Sequence, residues 1–205
     1  MTVAVSQPIQ QGQGAMQTPV KKQWAQPSHP SAIRVISSGL LTSSTDEKAA
    51  SFCLAAVADR DIPANTLIVK NTSTTLAAIK AYSTVQVSKD QHIELNSDLL
   101  YCNHSCDPNV RFVTSTLAMD SHNGQADAPV SGALEVWSVR DISAGEELRF
   151  FYPSTEWEMS QPFQCSCGAK QCLEWVDGAK KTPTDVLRKY WLSDHIRELL
   201  DERND

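Results

Sequence analysis

"YCNHSCDPN", residues 101–109, sets two cysteines, a histidine and two asparagines within nine positions. So dense a polar group does not suit a strand inside a core, and Asp107-Pro108-Asn109 makes a turn wherever it occurs. The stretch can hold a metal, hold a ligand or only reverse the chain. The residues around it decide which.

Working outward, 205 residues suffice for one domain with a real core, and 41% hydrophobic with 20% charged residues is ordinary for a globular protein. The longest unbroken apolar run, Phe52 to Ala58, falls far short of the ~20 residues of a membrane span. The start, MTVAVSQPIQQGQG, has neither a basic opening nor an apolar stretch after it, which predicts no secretion signal and a nuclear or cytoplasmic protein. Six cysteines in a reducing compartment point to metal or catalysis before disulfides. Net charge is −6; the first 45 residues carry +3 from Lys21, Lys22 and Arg34, so the remainder carries −6 − 3 = −9. An acidic body argues against a direct nucleic-acid grip, which needs clustered Lys and Arg, and would accommodate a basic protein partner.

Residues 1 to 30 hold seven Gln and four Pro without an acid. Such a segment buries too little apolar surface to offset its ordering entropy, which predicts a disordered tail over 1–31. From Ile33 short β-rich runs follow one another: Ile33–Ser37, Ser51–Ala58, Thr66–Val69, Ser83–Val87, His92–Leu95, Val110–Leu117, Ala133–Val139 and Leu148–Tyr152. "MDSHNGQADAPVSG", 119–132, reads as a surface loop by composition. Near the end, Leu187, Trp191, Leu192, His195, Ile196, Leu199 and Leu200 share a broad face of an amphipathic helix over Thr184–Glu202, with Thr184 or Asp185 as its cap. The expectation is a mostly β domain over 32–161, a cysteine-rich knot over 162–182 and a C-terminal helix within 183–205.

The knot is "CSCGAKQC". Cys165, Cys167 and Cys172 lie within eight residues, and three thiols cannot pair as disulfides without leaving one over. They can converge on zinc, which takes four tetrahedral ligands, with Gly168 allowing the tight turn. The fourth must come from elsewhere, and Cys53, Cys102, Cys106 and His104 are the candidates; spacing does not choose among them.

Three blocks in order now resemble the SET-domain protein lysine methyltransferases: "NHSCDPN" at 103–109, "DISAGEELRFFY" at 141–152 and "CSCGAKQCLEW" at 165–175. "CLAAVADRDIPANTLIV", 53–69, is similar to the strand pair that opens that domain. The resemblance implies small curled β-sheets with a pseudoknot that brings the first two blocks together, and a zinc-bound post-SET knot after them. It implies S-adenosyl-L-methionine as methyl donor, bound by the segment Cys53, Leu54 and Ala55, by Asn103 and His104 at the adenine end, and beside Tyr152 and Trp175. It implies Cys106 as the missing ligand of a structural zinc with Cys165, Cys167 and Cys172. Tyr152 becomes the channel tyrosine, Phe150 the Phe/Tyr position that governs how many methyl groups are added, and Trp175 a channel or cofactor lid. The implied substrate is the ε-amine of a lysine in a protein, histone or not.

The chemistry suits such residues. Methyl transfer from a sulfonium to an amine is an in-line displacement in which the protein supplies alignment and electrostatics. An aromatic channel disfavours the ammonium and so raises the share of reactive amine. The sequence departs from the family at three places: Cys53-Leu54-Ala55 stands for Gly-x-Gly, Leu100 for an arginine, and Leu173-Glu174 for Leu-Gly. The same departures suit a second expectation, a catalytically weak or inactive SET module that serves as a zinc-stabilised protein-interaction domain.

Overall fold

The alternating run "IRVIS" forms β1 (Ile33–Ser37), antiparallel to β2 (Leu54–Ala58), with Ile33 opposite Ala58 and Ser37 opposite Leu54. Small residues let β2 be covered on both faces, and Ala55, Ala56, Val57 and Ala58 are all buried. This computed structural model describes residues 24–37, 54–115, 128–130 and 133–203. A second sheet places β9 (Leu134–Ser138) between β3 (Leu67–Asn71) and β8 (Val110–Thr114), all antiparallel. Along β9 burial alternates, as a two-residue period requires: Leu134, Val136 and Ser138 face inward. A third sheet orders β4 (Thr75–Leu76), β6 (His92–Glu94) and β5 (Thr84–Gln86) with β6 in the middle. These sheets share one core, in which Ile33, Ile93, Leu99, Phe112, Leu134 and Leu148 are fully buried. The mostly β architecture is as expected.

The pair that positions the site is parallel. β7 (Asn103–His104) lies beside β10 (Arg149–Phe150), with Asn103 opposite Arg149 and His104 opposite Phe150. Asn109 closes this crossing. Its Nδ2 donates to Glu147 O at 2.8 Å and Glu146 Oε1 at 2.9 Å, and its Oδ1 accepts from Arg149 N–H at 2.8 Å. Asn109 is buried, so these bonds satisfy an amide that water cannot reach. The first two sequence blocks are thereby stitched together, as the pseudoknot expectation required. β11 (Phe163–Gln164) and β12 (Trp175–Val176) then frame the cysteine knot.

Four expectations need correction. The C-terminal helix is not continuous over Thr184–Glu202 but broken into α1 (Thr184–Leu187) and α2 (Asp194–Glu202). Leu187, Leu192 and Ile196 all enter a second apolar cluster with Phe151 and Ala179. Ser193 is extended; its N–H donates to Ser154 O at 2.9 Å and its Oγ accepts from Thr114 Oγ1 at 3.0 Å. Docking to two strand-side partners outweighs one more turn of helix. Neither Thr184 nor Asp185 caps α1, whose N-cap position is Pro183 with no side-chain cap bond. The tail is not structureless up to residue 31: Trp24 Nε1 and the Ser28 N–H donate to the Asp98 carboxylate at 3.0 and 2.7 Å, and Gln26 Nε2 joins them. A buried carboxylate needs donors, and this segment supplies them. Finally, the expected surface loop 119–132 lies mostly outside the described residues, but Val130 within it is buried and its N–H donates to Thr74 O at 2.9 Å. No described helix is long and apolar enough to cross a membrane.

Candidate active site

Cys106, Cys165, Cys167 and Cys172 converge, with their four Sγ atoms within 4.8 Å of one another. A tetrahedral zinc with Zn–S of ~2.3 Å requires Sγ–Sγ edges of about 3.8 Å, so small movements close the set around an ion. The surroundings act on the four thiols in opposite directions. Leu173 N–H donates to Cys106 Sγ at 3.3 Å and Glu174 N–H to Cys172 Sγ at 3.4 Å. Burial opposes ionisation of Cys167, yet hydrogen bonds from the Cys106 and Ala169 backbone and the neighbouring thiols pull it down to about 6. Burial pushes Cys165 up to about 11 and Cys106 higher still, so an ion is what would hold all four as thiolates. Of the other candidates, Cys102 is not in this set and is buried, with its thiol pushed far up by burial, and His104 touches the set only through Cys106. Cys53 lies outside the described residues.

His104 links the knot to the tyrosine. Its Nδ1 accepts from Tyr152 N–H at 3.1 Å, so Nε2 carries the proton and donates to Cys106 Sγ at 3.3 Å. Burial lowers His104 to about 4, which keeps the ring neutral. Both ring nitrogens are used inside the protein; a ligand at His104 meets its backbone or ring face. Asn103 Nδ2 bridges Leu54 O at 3.2 Å and Glu147 Oε1 at 2.7 Å, so the predicted residues Leu54 and Asn103 do come together. Leu54 and Ala55 lie in ordinary extended strand and have no positive φ, so their place demands no glycine. Glu174 is the opposite case: it holds φ +62°, the left-handed region that glycine fills without strain.

Tyr152 donates its hydroxyl to Cys102 O at 3.1 Å. Burial raises its pKa far above that of a free tyrosine, so it stays a neutral donor. Phe150 lies 4.7 Å from the Tyr152 ring and stacks on Phe112 at 3.9 Å, which fixes its plane. These rings line an inner cavity of about 50 Å3 together with Leu99 and Glu156. Its neighbour, an open cavity of about 660 Å3, shares Tyr82, Tyr152, Met159 and Ser160 with it and adds Phe163. Phe163 lies 6.0 Å from Tyr152 and 5.7 Å from His104. Sequence reasoning missed Tyr82, Glu156, Met159 and Phe163, because no motif marks them; only Glu156, one helical turn past Tyr152, had a spacing that could have flagged it. Trp175 lines neither cavity and is 58% exposed.

Comparison with known proteins agrees with this geometry. The family model described as the SET domain matches residues 53–153, and the "Methyltransferase flvH" of Aspergillus flavus is 40% identical over 177 residues, 86% of this chain and 85% of that protein. The chain belongs to the SET-domain family. Two further relatives are named "Histone-lysine N-methyltransferase, H3 lysine-36 specific". The one from Debaryomyces hansenii is 33% identical over 104 residues, 49% of this chain and 12% of its own length. The one from Schizosaccharomyces pombe is 30% identical over 126 residues, 60% of this chain and 14% of its own length. The chain therefore spans only a small part of those histone-directed SET proteins.

Proposed function

We propose that the protein is an S-adenosyl-L-methionine-dependent methyltransferase that acts on the ε-amine of a protein lysine. The observation that carries this reading is the narrow aromatic cavity between Phe150, Phe112 and Tyr152, which opens into a wider one at the same tyrosine. An alkyl-amine tail can enter such a cavity while its backbone stays outside. Membership of the SET-domain family and relatives named methyltransferases support methyl transfer in general.

The methyl donor fits the donor set beside β7. Arg149 pairs with Glu147, and Arg149 Nε is buried without a partner next to Asn103. A zwitterionic amino-acid end needs one cation and one anion, and this pair offers both beside Asn103. Leu54, Ala55, Asn103 and the His104 backbone would hold the cofactor, with Cys53 and Trp175 as further candidates. When bound, S-adenosyl-L-methionine supplies an electrophilic methyl group on a sulfonium. Tyr152 keeps its hydroxyl aimed and neutral, Phe150 leaves room for the amine to turn, and the apolar walls exclude water that would solvate the ammonium. The zinc set would be structural, since all four positions are thiols and none is left open for a reactant.

The substrate side points to a basic, lysine-bearing protein, since the body of the chain is acidic, and the histone-directed relatives favour a nuclear one. The ordinary strand geometry at Ala55 weighs against the reading of a dead interaction module, because the backbone at that position is not one that only glycine adopts. Incubation with methyl-labelled cofactor and a whole-proteome extract tests the reading. Label on protein lysines is expected; label on small amines alone would redirect the substrate, and zinc-loaded protein that transfers none and gives no calorimetric heat with millimolar cofactor would leave the interaction module standing.

A further inference from the structure

Amine methylation raises a question that Tyr152 and Phe150 do not answer. The nitrogen arrives as an ammonium ion, pKa ~10.4 for a free lysine, and must lose a proton before its lone pair can react. The inner cavity holds one carboxylate. Glu156 lines it with Tyr152 and Phe150 and is only 8% exposed.

The two oxygens of Glu156 differ. Oε1 accepts from Gln86 N–H at 2.8 Å and Thr155 Oγ1 at 3.3 Å, which fixes the carboxylate plane. Oε2 accepts no hydrogen bond from the described residues, and His92 Nδ1 lies 3.9 Å from it. Burial, then the charges of Lys80 and His195, lower His92 to about 4, so at neutral pH that contact joins a carboxylate to an uncharged ring. Lys80 faces the pair but gives its Nζ to Glu158 O. Burial holds the Tyr152 phenol and the Cys102 thiol of the cavity wall in their neutral forms, so neither compensates a buried anion. A buried carboxylate with one fixed and one vacant oxygen is a site for a cation.

We propose that Glu156 receives the substrate amine as its ammonium ion through Oε2 and takes the proton that must leave before methylation. This rests on the amine-methylation reading above. In the step an ammonium N–H bond breaks, its electron pair stays on nitrogen as the lone pair, and the proton bonds to Glu156 Oε2, turning carboxylate to carboxylic acid. The proton returns to solvent as product departs. Burial pushes Glu156 up to about 7 against the pull of Gln86 N–H, Lys80 and Thr155, so the group gains and loses a proton near neutral pH.

Two measurements test this. With the zinc-loaded full chain and no cofactor, 13C-carboxyl glutamate NMR follows Glu156, assigned by its loss in Glu156→Gln. Added n-butylammonium should lower its midpoint from near 7, because a cation favours the carboxylate, while n-butanol should not. Equal midpoints with and without n-butylammonium would overturn the proposal whether or not turnover is ever seen. Where turnover is measured, kcat/KM in the wild type should rise with pH through about 7 and then level. Glu156→Gln keeps the Gln86 contact through its amide oxygen, and should lose about 10²-fold at pH 7 and the inflection with it. A variant that loses rate but keeps the inflection would make Glu156 structural. Wild type that binds n-butylammonium at Glu156 yet methylates no amine would sink the amine-methylation reading instead.

Discussion

Replacing Cys106 by serine should unlock the knot and leave the rest folded. The knot is a loop with a fixed base: Ala179 N–H donates to Glu156 O at 2.8 Å, and Ala179 belongs to the second apolar cluster. Between these anchors the loop spans 179 − 156 = 23 residues; Trp157 and Leu173 pack against the second cluster and Val176 is buried, but its middle, 164–172, holds no buried apolar side chain. What fixes its middle is the ligand set shared with Cys106 on the other block. Chain entropy for pinning a 23-residue loop is about 3 kcal/mol, which corresponds to about 100-fold in local opening. Hydrogen exchange read by mass spectrometry is the assay, with zinc content measured alongside. Wild type should carry one zinc per chain and protect β11 and β12. In Cys106→Ser these amides should exchange about 100-fold faster, while β5, β6 and β8 keep their protection. Equal protection of the knot in the variant, or wild type purified without chelator and free of zinc, would refute the reasoning.

Glu174→Gly should stabilise the knot by about 1 kcal/mol, since φ +62° costs a side chain and not a glycine; the knot's exchange rates would show it. Asp98→Ala should free the segment from Trp24 to Ser28 and cost at least ~2 kcal/mol locally. Burial favours the neutral acid, but bonds from Trp24, Gln26 and Ser28 outweigh it and lower the Asp98 pKa, so this anchoring is present above the ordinary carboxylate range and fades as pH falls below it. Trp24 solvent exposure measured by quenching against pH should follow that course in wild type and be flat in the variant. Phe150→Tyr should shift products toward monomethyl-lysine by mass spectrometry, because a hydroxyl beside Tyr152 restricts the turning of a once-methylated amine. Asn103→Ala should weaken cofactor binding about tenfold or more by calorimetry, since Leu54 O and Glu147 lose the amide that positions them.

The sequence by itself determined the elements whose signals are local. "IRVIS" alternates and pairs as a strand from Ile33 to Ser37, and the spacing Cys-x-Cys-x4-Cys announced a shared ligand set. The three ordered blocks determined the family and the candidate residues Asn103, His104, Phe150 and Tyr152, because short motifs keep their residues in one place along the chain. Tertiary structure alone decided what depends on distant partners. Helical periodicity over 184–202 could not reveal that Ser193 would bond Ser154 and Thr114 and split the helix. Composition could not reveal that Asp98, some seventy residues away, would hold Trp24 and Ser28. Nor could it choose Cys106 over Cys102, two thiols four positions apart of which only one faces the knot. Glu156 belongs to the same class: a lone glutamate reads as surface in any sequence, and only burial beside Tyr152, with one oxygen bound and one left open, makes it part of a site. Local pattern fixes what a residue prefers; the desolvation and pairing that turn preference into chemistry exist only once the chain has closed on itself.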